Sequence, residues 1–421
     1  MSEAVPPDNQ VPQPPKGALG TIFLIVFVDL LGFGIIIPLL PRYVPQFKEH
    51  PLKVTMLFSV FSVFQFIGAP ILGLLSDRYG RRPVLVISQF GSAVGYLLLG
   101  FATQWQFEPA TALALVYFSR IIDGFTGGNI STAQAYVSDV TTHENRAKGM
   151  GMLGAAFGIG FTAGPFLGGV LGLKAAYVAA ALSATAATLS FFMLPETRTH
   201  QPAEAEVWLH PSRFAPVFRR PALVQLLAVS FCIMAAFVMM ESTVTMFLDE
   251  RFGWKERQVG LYFGFVGLVI VAVQGGLIGR ITKHFGEWTP AVGGCVFVAA
   301  GMAGYTLVAF RPMLWVLLAA GAVNATGRSL QQPTISSLLS KFSDPRDHGV
   351  VFGLFHGLGS LARVVGPFVA GLAYPFVHHS GQFITAGLIA LAMAAWTAAL
   401  RQPAPAEGAP DAMSQAALEA G

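Results

Sequence analysis

Charge is what this 421-residue sequence has least of: Asp, Glu, Lys and Arg together make up 11% of it, against about a quarter in a water-soluble domain. With 54% apolar residues and a mean hydropathy of +0.60, a soluble globular composition is excluded. Cysteine is nearly absent. Cys232 and Cys295 each stand alone in an apolar segment, which excludes a disulfide framework and reads as two buried small hydrophobes. No P-loop or Walker lysine is present, so ATP-driven transport is excluded; glycine spacings such as GFVGLV at 264–269 lie in apolar helices without a nucleotide-binding context. No nucleophile–base pair points to an enzyme. His378 and His379 have no carboxylate or cysteine near them in the sequence, so neither a metal nor another cofactor is expected. The net charge of +4 is scattered over loops without a basic stripe, which argues against nucleic acid as a partner.

What the chain has is long apolar runs. Spans are expected near 18–43, 54–75, 83–103, 110–138, 147–171 and 175–194, and again near 221–248, 257–279, 289–310, 312–340, 348–376 and 381–400. The fold class is therefore an all-α polytopic membrane protein with twelve transmembrane helices, in two six-helix bundles over 18–194 and 221–400. The polar stretch 195–220 reads as a cytoplasmic linker. Residues 1–17 and 401–421 read as disordered cytoplasmic tails, the first without the basic start and cleavage site of a signal peptide. With both termini inside, the cytoplasmic segments hold fifteen Lys and Arg and the outer loops eight, the bias that favours this orientation. An internal repeat supports the two halves: GPFLGG at 164–169 returns as GPFVAG at 366–371, and GLLSDRYG at 73–80 returns, degraded, as GRITKHFG at 279–286. Asp77 and Arg78 become Lys283 and His284, so the second loop is not expected to form the ion pairs of the first.

Between the second and third spans, GLLSDRYGRRP (73–83) packs Asp77, Arg78, Arg81 and Arg82 into one short loop together with Gly73 and Gly80. A loop this rich in arginine resists translocation. In the fifth span, Gly151, Gly160, Gly164, Pro165, Gly168 and Gly169 fit G-x8-G-x3-G-P-x2-G-G, small residues that let helix backbones approach closely. The first span holds LGFGIIIPLLP (31–41) preceded by Asp29, and the fourth holds RIIDGFTGG with Arg120 and Asp123. A bare carboxylate at membrane depth is costly and is functional by default, so Asp29 is a candidate proton carrier. The bland reading is a satisfied structural acid. Arg120 and Asp123 are three residues apart and could simply neutralise each other.

In this order, the motifs resemble those of the major facilitator superfamily and, within it, the twelve-span drug:proton antiporters; VDLLGFGIIIPLLP is similar to the first helix of the tetracycline-efflux branch. The resemblance implies two pseudo-symmetric six-helix bundles, efflux rather than uptake from the helix 5 motif, and proton coupling through Arg120 with Asp29 and Asp123. It also implies a gating network of Asp77, Arg78 and Arg81 with Asp139 at the end of the fourth span. One departure stands out: the branch carries an aspartate in helix 3 within G-x-A-V-D-Y, where this chain reads GSAVGY and has Gly95.

In the second half, Glu241, Arg328, His356 and Arg363 are ionisable within spans and join Gln134, Asn324, Gln331 and Gln332 as substrate-lining candidates. Glu241 could meet a cationic substrate or carry a second proton, and Arg328 could attract an anionic group or lock the halves together. The reading is a monomeric antiporter of the inner (plasma) membrane, with protons, a hydrophobic drug-like compound and the lipid bilayer as its partners. The alternatives are a proton-coupled importer of a sugar or organic acid, which the helix 5 motif disfavours, and a non-transporting receptor or scaffold.

Overall fold

The computed structural model describes residues 18–44, 50–105, 107–141, 143–197, 215–344 and 347–399. Both tails and most of the 195–220 linker lie outside them. Twelve long helices account for nearly all of the described chain. In the first half they are α1 (Ala18–Ile36, prolonged by a 3-10 turn Ile37–Leu39 and Leu40–Tyr43), α2 (Pro51–Tyr79), α3 (Arg81–Gln104), α4 (Pro109–Thr126, prolonged through Gly127–Asn129 to Ile130–Asp139), α5 (His143–Leu171) and α6 (Ala175–Met193). The second half has α7 (Pro221–Phe252), α8 (Glu256–Ala272, then a π-turn Val273–Leu277 and Ile278–Phe285), α9 (Trp288–Phe310), α10 (Leu314–Phe342), α11 (His348–Ala373) and α12 (Gly381–Ala399). Among the described residues there is no strand.

Proline explains the break in α1. Pro38 and Pro41 remove backbone donors, and the helix tightens to 3-10 geometry there. Nine runs of described helix are long and apolar enough to span a bilayer, one of them covering both α5 and α6. α4 and α10 fall outside that set, because they carry Arg120 and Asp123, and Asn324, Arg328, Gln331 and Gln332. These two helices bring Arg120, Asp123 and Arg328 to the charged clusters described below.

Within each half the same neighbours recur. α1 packs on α5 and α6, and α3 packs on α4 and α6; in parallel, α7 packs on α11 and α12, and α9 on α10 and α12. Two compact units emerge, one of residues 1–45 and 63–205, the other of 46–62 and 206–421. The first turns of α2 thus count with the second unit, where Ser59 Oγ donates to the Val364 carbonyl (2.8 Å).

Glycine sets the close approaches. A Cβ on Gly164 would stand 2.7 Å from Cα of Gly34, and one on Gly160 2.8 Å from Cβ of Leu30; Gly168 abuts the Ile35 backbone. These three glycines, spaced by four, therefore let α5 lie directly against α1. Gly151 meets nothing. The helix 5 motif thus divides into a packing stripe and an open position. In the second half the repeat equivalent of Gly164, Gly366, sits against Ala235 and Val238 of α7.

Candidate functional site

The first unit buries its charges where α1, α3 and α4 meet. Arg120 Nη1 pairs with Asp123 Oδ2 at 3.1 Å, and the two side chains are 1% and 2% exposed. Tyr96 of α3 lies under the guanidinium, 5.8 Å from ring centroid to Cζ. Ser92 and Tyr96 are the polar neighbours of Asp123, and Ser92 also shares a hydrogen bond with Thr126 (3.1 Å). The intrahelical neutralisation expected from the i,i+3 spacing is therefore formed. Asp29 is half-buried on α1, with the amides of Asn129 and Gln89 as polar neighbours and Asp123 acting on it as a like charge. Neither amide nitrogen closes a hydrogen bond of good geometry. Two carboxyl groups and one guanidinium thus share this cluster.

Gly95 explains the departure in helix 3. A Cβ at that position would lie 3.0 Å from Cβ of Asp123 and 3.1 Å from the Ser119 carbonyl. The volume a helix 3 side chain would enter is already filled by the helix 4 aspartate. Asp123 of α4 thus sets its side chain directly beside position 95 of α3.

The second unit gathers its charges on α7, α10 and α11. Arg328 Nη1 donates to Gln331 Oε1 (3.0 Å), and Nη2 lies 2.8 Å from the Met234 sulfur. Its guanidinium stands over the Phe237 ring at 5.4 Å. Glu241 feels Arg363 first and Arg328 second. Asn324 and Gln331 are buried against α9, where Gly301 and Gly294 make room for their Cβ atoms. His356 of α11 is exposed but lies within reach of the Arg363 charge, at the edge of the second cluster; Gln332 is exposed and Gln134 half-buried on α4.

At the 73–83 loop, Arg81 is the hub. Its Nη1 reaches Asp77 Oδ1 and Ser76 Oγ, both at 2.7 Å, and its Nε reaches Asp139 Oδ2 at 3.2 Å. Gly80 turns the chain at φ +103, a region that favours glycine. Glu196, just after α6, accepts from the backbone N–H groups of Arg81 (2.9 Å) and Arg82 (3.1 Å) and so caps the start of α3. Arg82 stacks on Phe191 and donates to its carbonyl. Gly73 faces Ser131 of α4. Arg78, expected in this network, is instead exposed and lies over the Tyr79 ring at 5.4 Å.

Sequence reading passed over Glu196, Gln89, Asn129, Met234 and Phe237. Gln89 and Asn129 carried a usable signal, an amide within an apolar span. Glu196 did not, because a carboxylate at a loop edge resembles any solvated one. Among the described residues, no group of His, Cys, Asp and Glu has the makings of a metal site.

The sequence model of the Major Facilitator Superfamily matches residues 22–318. The chain is 31% identical over 393 residues to the class H tetracycline resistance protein of Pasteurella multocida, covering 90% of this chain and 95% of that one. It is 30% identical over 420 residues to the human major facilitator superfamily domain-containing protein 10, covering 88% and 90%. The crystal structure of that human protein, described as an organic anion transporter, matches with a TM-score of 0.66 at 27% identity over 91% of this chain and 100% of that one. The nucleoside transporter NupG matches with a TM-score of 0.75 at 13% identity over 91% of this chain and 100% of that one, a likeness of fold alone.

Proposed function

We propose that this chain, which belongs to the major facilitator superfamily, is a proton-coupled antiporter that exports hydrophobic drug-like compounds, tetracycline among them, by alternating access. It is a membrane transporter and not an enzyme. The observation that carries the coupling is Asp29: a half-buried carboxyl at membrane depth, beside a buried Arg120–Asp123 pair and without a cation of its own in the cluster. A group so placed exchanges a proton at modest cost when its access to water changes. Protonation from outside favours substrate release, and deprotonation toward the cytoplasm readies the protein for the next molecule.

The tetracycline element rests on the names of relatives at about 30% identity and on the carboxyl of Asp123, which stands where Gly95 has none. The glycine stripe of α5 against α1, next to Asp29, supports efflux through the motif resemblance. Both termini are cytoplasmic in this reading, which places the Arg81 hub on the inner face of the plasma membrane. The working unit is a monomer with functional bundles at 18–194 and 221–400, joined by the linker 195–220.

The test is proton release from acid-loaded inverted vesicles on adding tetracycline or members of a drug panel, in wild type and Asp29→Asn. Release that disappears in the variant is the expected result. Full proton-driven efflux by Asp29→Asn would overturn the coupling role.

A further inference from the structure

We infer that Arg328 and Gln331 of α10, with Met234 and Phe237 of α7, form a receptor for the anionic group of an amphipathic substrate, a carboxylate or comparable planar anion carried on an apolar body. The inference rests on the transporter reading above and names the class of compound.

Arg328 is the fifteenth of 29 residues in α10, so about 20 Å of helix separates it from either end. A guanidinium held there is costly unless an anion compensates it. The contacts Arg328 does make are neutral: the Gln331 carbonyl oxygen, the Met234 thioether and the face of Phe237. Among the described residues no carboxylate forms an ion pair with it, and Glu241 answers more strongly to Arg363. Within the α7–α10–α11 cluster the positive charge of Arg328 is therefore left in surplus.

The second observation is independent of charge. Gln331 is 1% exposed and its Nε2 has no hydrogen-bond partner, an expensive state for a buried amide. Its Oε1 is fixed on Arg328, so the idle donor lies beside the guanidinium. Arginine presents a planar fork of N–H groups suited to two-point contact with a carboxylate. An anion in front of it would satisfy the surplus charge and the idle amide together. Phe237 and Met234 supply the apolar wall for the rest of the ligand, and an ammonium at the same point is repelled by the guanidinium.

Three probes with one skeleton test this: 4-(1-naphthyl)butyrate, its primary amide, and 4-(1-naphthyl)butylamine. Their dissociation constants are measured on the purified full-length protein in detergent, without a proton gradient. The butyrate is expected to bind at least tenfold more tightly than the amine in wild type. Arg328→Gln should reduce that preference to less than threefold, Arg328→Lys should retain part of it, and Gln331→Glu, which adds a carboxylate beside the guanidinium, should reverse it. Equal binding of butyrate and amine, binding of none of the three at millimolar concentration, or a preference that survives both Arg328→Gln and Gln331→Glu would overturn the assignment. Failure of the antiport reading shows separately: the butyrate would bind as expected while no compound releases protons from inverted vesicles.

Discussion

The two halves of this chain repeat one set of helix contacts and invert much of the charge laid upon it. At the loop between α2 and α3, Arg81 reaches Asp139 at the end of α4. At the corresponding loop between α8 and α9, Glu287 reaches Lys341 at the end of α10 at 3.0 Å, with Ser337 donating to the same carboxylate oxygen at 2.7 Å. Arg81 and Glu287 are separated by the same 206 positions as the repeated loop motif, and Asp139 and Lys341 by the same 202 as the repeated GPF motif. The second loop has thus lost the ion pairs of the first and built one of opposite polarity. At membrane depth the inversion returns, with Asp29 and Asp123 against Arg120 in one cluster, and Arg328 and Arg363 against Glu241 in the other. Glycine does not invert. Gly80 and Gly286 both hold positive φ at their loops, and Gly164 and Gly366 both sit on the first helix of their own half. Backbone geometry and close packing leave few substitutes, whereas a pair of opposite charges keeps its attraction when both signs are exchanged together.

The largest expected effect breaks the acidic cluster. Asp123→Leu takes a carboxylate from a guanidinium that is 1% exposed, and breaking such a pair costs ~3–5 kcal/mol; the yield of monodisperse protein in detergent should collapse. Next comes the exchange between α3 and α4. Gly95→Asp crowds Asp123 at 3.0 Å and should cost about 1–3 kcal/mol, read as a lower Tm. Gly95→Asp combined with Asp123→Gly should recover most of it, and two losses that simply add would refute the shared volume. A third comparison separates the glycines of one motif. Gly164→Ala, driven against Gly34 at 2.7 Å, should again lose about 1–3 kcal/mol, while Gly151→Ala, which meets nothing, should stay within about 0.5 kcal/mol of wild type. The smallest effect concerns the inverted latch. Glu287→Lys should lower Tm slightly, and the double variant Glu287→Lys with Lys341→Glu should restore it. Arg78→Ala should leave Tm unchanged, in contrast to Arg81→Ala.

Much of the scaffold was legible because apolar length and punctuation are local properties. The expected ends of the spans agree with the helices to within six residues, the widest gap being at the end of α8. The charged residues of the candidate site were also legible, since an ionisable side chain within a span is conspicuous on its own. Their partners were not. Arg78 and Arg81 look alike in GLLSDRYGRRP, yet one is exposed over Tyr79 and the other joins Asp77, Ser76 and Asp139. Which arginine turns inward depends on where α4 ends.

The sequence by itself determined that this is a twelve-helix membrane protein, that it is built as two related halves, and which of its residues carry charge into the apolar layer. Hydrophobic length and composition suffice for that, because a span must satisfy its own backbone hydrogen bonds in place. Only the tertiary structure decided how the charges combine: that Asp123 fills the space left by Gly95, that Glu196 caps α3, and that Arg328 meets an amide and a thioether rather than a carboxylate. Those outcomes depend on helices distant in sequence meeting at a few ångströms, and at that range electrostatics and close packing are set by the neighbour rather than by the residue's own type.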